Sequence, residues 1–533
     1  MQSSKIESSI SSRELGDSTL NNESGYNSSC QSEPFTSDGS VNYSIDSIIN
    51  SYGYGWEVWK ILLSVFFCFL INGYLTTSLS SYILPYRDKF QLTESQISML
   101  GTAFFITKFI SSCTIGYQTH FLSRIIIIKI SIFVTFFLVA LNAIIISYGV
   151  VMVFQILGGF ASGIFEITSF NIACEFTPTK YRGWVMISIW NGYNVGVLFP
   201  NLIMLATMPN YEKEKLRITL IFTAVVIFVF GGFSLFFLKD SPRNLVLSAK
   251  FRDAFKILKK MIDFKLTKKM KKEIIKEILL KKSEEAINRR RKIDIRRPHI
   301  PKEEMVGVKD VFAKGMFWTG ILLVLICFFG NCINDGFQLV LNLILDDIYK
   351  DQSKNKILID NILINSICLP SNFFLGIFTE FKFLGRKYTQ LFGFLILGSF
   401  IVPVMFDIGH AYIYLIFFMF FTCITNMVNV YVSEIYPTKT RDMALGVIQA
   451  FGYFGSCISQ FLFVFLNEMG FNAGPITFCS FCVLNAILSL FLKVDTYQRP
   501  LDSGEEDENE NYKNMIEKLD EIKPEEGVHK IDS

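Results

Sequence analysis

The chain has 533 residues, 51% hydrophobic and 15% aromatic, with 54 Phe, and a mean hydropathy of +0.37. Its apolar residues run in unbroken blocks rather than periodic patterns, and a helix needs about 20 such residues to cross a bilayer. The formal net charge of +3 gives no case for a nucleic-acid partner. No Walker sequence is present, so ATP-driven pumping and enzyme chemistry find no support.

Residues 1–53 are polar and rich in Ser and Asn, with no cleavable leader visible. A disordered tail is expected there, because such a segment buries too little apolar surface to offset its chain entropy. Twelve apolar spans follow: 57–84, 94–117, 124–147, 149–173, 184–207, 217–238, 316–345, 357–380, 386–407, 411–432, 443–467 and 472–493. Lipid offers backbone groups no partners, so the spans read as helices. The expected fold class is an all-α membrane protein of twelve transmembrane helices in two six-helix halves, 54–238 and 316–494. Between them, 239–315 is a basic linker whose apolar spacing (Phe255, Leu258, Ile262) suits amphipathic helices on an anionic leaflet or a solvated connector. The last segment, 495–533, is an acidic tail, also expected to be disordered.

The halves are marked by a repeat. Glu175-Phe-Thr-Pro-Thr-Lys-Tyr-Arg182 returns as Glu434-Ile-Tyr-Pro-Thr-Lys-Thr-Arg441, 259 residues later, with five of eight positions identical. The same offset pairs Gly196 with Gly455. Paired halves of this kind are typical of secondary transporters, in which one half rocks against the other.

Lys and Arg fix the orientation. The stretch 239–314 holds 24 Lys/Arg against 11 Asp/Glu, and Lys180, Arg182, Arg386, Lys387, Lys439 and Arg441 collect in short loops on the same side. Both termini, the linker and both repeat copies are therefore expected in the cytoplasm. Ten of the eleven cysteines lie in or beside spans, which gives no disulfide framework. The four His form no ligand cluster, so neither a metal site nor a cofactor is expected.

An ionisable residue at membrane depth is costly and hence a functional candidate. Three stand out: Lys108, Glu166 and Asp335. Asn331, Asp335 and Gln338 are spaced i, i+4, i+7 on one stripe of span seven, with Asn334 beside it, and Asn426 and Asn429 mark span ten. Asn72, Asn191, Asn194, Gln449 and Tyr453 are neutral candidates. Each neutral residue serves either the solute or an interhelical packing bond, and Lys108 either pairs with one of the acids or snorkels to an interface.

Several motifs in order resemble the major facilitator superfamily, in the branch of synaptic-vesicle-protein-related, organic-ion and niacin-type transporters. The resemblance covers about 55–501. It rests on both Glu-x-x-Pro-x-x-x-Arg copies, on Gly376-x-x-x-Glu380-x-x-x-Leu384-Gly385-Arg386-Lys387, on Asp240-Ser241-Pro242-Arg243-x-Leu245, and on Asp495-Thr496 with Leu501. The first-half copy of the Gly376 loop keeps Gly116 and Arg124 but has His120 where the acid is usual. The resemblance implies a cavity among helices one, four, seven and ten. It also implies a cytoplasmic gate of Glu175, Arg182, Arg124 and Arg243 with Glu434, Arg441, Glu380 and Arg386. The competing account is that these positive charges only hold their loops inside.

Departures matter as well. Span one has only Asn72 near its middle, Tyr453 stands where organic-anion relatives carry an arginine, and Asn331-Cys-Ile-Asn-Asp335 replaces the Gln-Gln pair of sugar porters. The long outward loop that organic-ion carriers have between helices one and two shrinks here to about ten residues by the span edges above, so these departures count against sugar, organic-anion and standard organic-cation solutes alike. The expected function is secondary active or facilitative transport of a small polar organic solute by alternating access, with protons as a candidate coupling ion and a monomer in the bilayer. The alternatives are a receptor-like protein that binds without flux and a membrane scaffold with an idle gate.

Overall fold

The structure, a computed structural model, describes residues 49–50, 53–208, 215–247, 253–254, 256–257, 307–313, 315–348, 354–381, 384–402, 416, 420, 422–437, 440–469 and 473–492. The expected tails fall almost wholly outside these residues, as do most of the basic linker and the first part of span ten. Ile49 and Asn50, at the end of the expected N-terminal tail, are helical, and Ile49 is buried.

The first half runs as α1 (Trp56–Phe90), α2 (Glu94–Phe121), α3 (Arg124–Ile144), α4 (Tyr148–Phe176), α5 (Arg182–Thr207) and α6 (Leu216–Phe237). The second runs as α7 (Phe317–Ile348), α8 (Lys354–Ser366), α9 (Cys368–Thr379), α10 (Gly385–Ile401), a 3-10 turn Cys423–Asn426 leading into α11 (Met427–Ile435), α12 (Arg441–Met469) and α13 (Ala473–Leu490). A short helix, Pro242–Leu247, follows α6. Among the described residues, eight segments are long and apolar enough to cross a membrane, one of them being Leu358–Thr379, which runs through α8 and α9. Large apolar side chains point away from the protein, among them Phe133 and Phe137 one turn apart on α3, and Phe236 on α6 at 85% exposure. A chain in water would not display such a surface; lipid would cover it.

One span edge and the interior of one span differ from the sequence expectation. Helix α1 continues to Phe90 and α2 begins at Glu94, so residues 91–93 alone connect them. Gln91 ends α1 in the left-handed region at φ 52°, and Thr93 starts α2: its hydroxyl accepts from Gln96 N while Gln96 Oε1 accepts from Thr93 N, a capping box. Span eight is not one helix but two, α8 and α9, broken at Ile367. Pro370 accounts for the break, because it has no N–H for the carbonyl four residues back.

The halves share their packing. A Cβ on Gly196 of α5 would collide with the Leu70 carbonyl of α1, and a Cβ on Gly455 of α12 would collide with the Phe328 carbonyl of α7. The repeated glycines thus sit at equivalent places, where small residues let two helix backbones close up. Helix α2 lies against α12 and α9 against α5, which joins the halves along two seams. Gly116 abuts Met443 on the first seam, and Gly376 abuts Trp184 on the second.

Candidate functional site

At one end of the seams the repeat loops gather an ionic cluster. Each repeat arginine first closes its own loop. Arg182 Nε and Nη2 donate to the Thr177 carbonyl at 3.4 Å, and Arg441 Nε donates to the Tyr436 carbonyl at 3.3 Å. In both cases the acceptor lies five residues back. Tyr181, before Arg182, holds the left-handed region at φ 63°. The loop is clamped from outside as well: Asn50 Oδ1 accepts from Thr179 N at 2.9 Å, and Tyr54 donates to the Lys180 carbonyl at 2.9 Å. Burial pushes the Tyr54 phenol above its ordinary range, against the pull of Arg182.

The two repeat acids are held alike. Glu175 accepts from Arg124 Nη1 at 2.7 Å, and Glu434 accepts from Arg386 Nε and Nη2 at 3.2 and 3.1 Å. Each arginine stands in the first turn of the helix that follows its loop. Bonds between the halves differ on the two seams. On the first, Arg441 Nη1 reaches Glu175 at 3.1 Å, and Asp442 takes Arg124 Nε at 2.7 Å and Asn171 Nδ2 at 2.5 Å. On the second, Glu380 accepts the Trp184 N–H at 3.2 Å and lies 3.6 Å from Arg386. Burial raises the Glu380 carboxyl above the usual range, while Arg386 pulls it back. Arg243 is buried in the short helix after α6, beside Ser241, whose hydroxyl accepts its backbone N–H.

Asp442 was missed from sequence. It follows the repeat arginine, where the first half has Gly183. A Cβ on Gly183 would press on Arg386 and Glu380, so the second seam has no room for a side chain there. The break in the repeat at this position was the available signal. His120, at the degraded loop position, is matched in the second half by Glu380.

Deeper in the bundle, helices of both halves enclose a cavity of about 50 Å³. That is room for a few waters and not for an organic solute. Lys108, Glu166 and Asp335 all line it, together with Asn194, Asn331, Asn334, Asn426, Asn429, Gln449 and Tyr453. Lys108 Nζ lies 3.0 Å from Glu166 Oε2 and 4.3 Å from the centre of the Tyr453 ring. Asn72 Nδ2 donates to Glu166 Oε2 at 3.3 Å, and its own oxygen accepts from Ser162 Oγ at 2.5 Å. Asp335 accepts from Asn334 Nδ2 at 3.2 Å and from the Ser456 hydroxyl. Gln449 donates to Asn429, and Cys327 Sγ donates to Gln449 Oε1 at 3.5 Å.

Three sequence candidates fall elsewhere. Asn191 accepts from Asn372 Nδ2 of α9 at 3.1 Å, a bond across the second seam rather than a cavity group. Asn72 backs Glu166 without facing the void. Gln338 lies on α7, with its side chain outside the described residues. Trp190 of α5 lines the cavity and was not anticipated, since an indole in an aromatic-rich span carries no distinguishing pattern.

This arrangement of helices is the major facilitator fold. The solved proton:xylose symporter XylE bound to 6-bromo-6-deoxy-D-glucose superposes with a TM-score of 0.64 at 18% identity, over 83% of this chain and 97% of that one. The chain belongs to the family described as Sugar (and other) transporter, which matches residues 61–507. Curated relatives include the Synaptic vesicle 2-related protein of Rattus norvegicus, 23% identical over 86% of this chain and 82% of that protein. Organic anion transporter 3 of the same species is 22% identical over 70% of this chain and 64% of its own length. The protein is thus a multi-pass membrane protein of a transporter family.

Proposed function

We propose that the protein moves a small polar organic solute across its membrane by alternating access, using no ATP. The central cavity is the solute site, and the ionic cluster at the helix ends is the cytoplasmic gate. Both termini and the basic linker lie on the gate side, as the Lys/Arg asymmetry requires. The observation that carries this reading is the pairing of Arg124 with Asp442 and of Arg441 with Glu175 across the halves. Such pairs hold in one state and part in another, as a two-state element needs. With them formed, the inner mouth is shut, and the central void must widen to take a solute. The charged groups lining the cavity are then the candidates for binding a solute or a coupling proton. The names of the relatives include an organic anion transporter and a proton symporter, so both anions and protons belong in the first uptake panel.

Flux into proteoliposomes, with and without an imposed proton gradient, tests the reading. Saturable uptake that Asp335→Asn and Glu166→Gln variants lose is expected. Solute binding without flux would replace the transporter by a receptor.

A further inference from the structure

Resting on the transport reading above, we infer that the solute is an organic monocation carrying a neutral acceptor oxygen, with Asp335 as its counter-charge. Among the described residues, Lys108, Glu166 and Asp335 are the charged groups that line the cavity. Ionised, they sum to one negative charge. Lys108 and Glu166 cancel each other at 3.0 Å, and Asn72 fixes Glu166 from behind. Lys108 is further occupied by the Tyr453 ring, so it is already satisfied from two sides. Asp335 has hydrogen-bond donors in Asn334 and Ser456 but no ion pair among the described residues. A part-buried carboxylate at membrane depth with no cation paired to it is costly, and a solute cation is what would relieve it.

A second observation specifies the other end of the solute. Trp190 is 5% exposed and lines the cavity, yet its indole N–H has no acceptor. Asn194, one turn further on α5, also lines the cavity with an unpartnered Nδ2. An indole N–H can only donate, so what fits there is an acceptor atom. Trp190 and Asn194 belong to the first half and Asp335 to the second. A solute with a cationic group and a separate carbonyl or hydroxyl oxygen would therefore engage both halves at once. An organic anion would bring like charge to Asp335. A neutral polyol would leave that carboxylate uncompensated.

Purified full-length protein in proteoliposomes tests this with four probes: acetylcholine, tetraethylammonium, para-aminohippurate and glucose. Saturable acetylcholine uptake is expected, tetraethylammonium being weaker by about 5–30-fold for the missing hydrogen bond of about 1–2 kcal/mol. Trp190→Phe should erase the preference for acetylcholine over tetraethylammonium, read as the ratio of the two uptakes within that variant. Asp335→Asn should abolish uptake of both cations, with Asp335→Glu recovering part of it. Uptake of para-aminohippurate or glucose but of neither cation overturns this inference and leaves transport standing. Loss of proton drive in Asp335→Asn with cation uptake retained also overturns it, since the carboxylate would then carry a proton. If a cooperatively melting protein moves none of the four, the inference falls, and a further screen for flux of any solute decides whether transport falls with it.

Discussion

Replacing Asp442 by Asn should open the inner face. Arg124, Arg441, Glu175 and Asp442 form a buried group whose two positive and two negative charges balance. Asparagine keeps the shape of Asp442 and can still accept from Arg124, but it leaves one positive charge uncompensated. Breaking a buried pair by removing one partner costs about 3–5 kcal/mol. Arg124 keeps Glu175, so the low end applies, and about 3 kcal/mol moves a two-state equilibrium by ~10²-fold. The native Cys174 reports the change. Its side chain is wholly buried on α4, with Sγ 3.9 Å from the Ser433 carbonyl of the other half. Separation of the halves at this end would bare it. In purified protein, labelling of the Cys174 peptide by a small maleimide should accelerate by up to ~10²-fold in Asp442→Asn. Half-buried Cys113 on α2 serves as the internal reference. Unchanged Cys174 labelling in a variant that still melts cooperatively would refute the gate and return these charges to a topological role.

Lys108→Met should strand Glu166 and lower the melting temperature, by about 3–5 kcal/mol of stability, and the double variant Lys108→Met/Glu166→Gln should recover much of the loss. Gly196→Val should force α1 and α5 apart at the Leu70 carbonyl, costing about 1–3 kcal/mol in thermal unfolding and reducing flux. Asn50→Ala removes the acceptor of Thr179 N. It should cost about 0.5–1.5 kcal/mol locally, read as faster proteolysis at 177–181 with little change in global melting.

What the sequence made legible follows from what repeats and hydropathy can encode. Glu175/Glu434 and Gly196/Gly455 stood out because identity across a 259-residue offset is visible without any structure. Lys108, Glu166 and Asp335 stood out because charge inside an apolar block is conspicuous, and all three line the cavity. Their pairing was not legible: nothing in the spacing says that Lys108 on α2 meets Glu166 on α4 rather than Asp335. Asp442 was passed over for a related reason, as a lone acid at a helix start reads as a favourable first-turn charge until its partner Arg124 is seen 318 residues away in sequence. The break in span eight and the end of α1 at Phe90 depend on local backbone chemistry, at Pro370 and Gln91, that a hydropathy window averages out.

The difference between Asp442 and Gly183 has a mechanical consequence. Opening along the α2–α12 seam must pull full ionic charges apart, while opening along the α5–α9 seam gives up the Trp184 N–H bond to Glu380 and the Asn191–Asn372 bond and leaves Arg386 and Glu434 together on one side. Two halves fastened this way would not part like a pair of matched doors. The α2–α12 edge behaves as a clasp and the α5–α9 edge as the looser side, so the first motion should be a skewed yawn that starts at the α5–α9 edge and turns about the clasp.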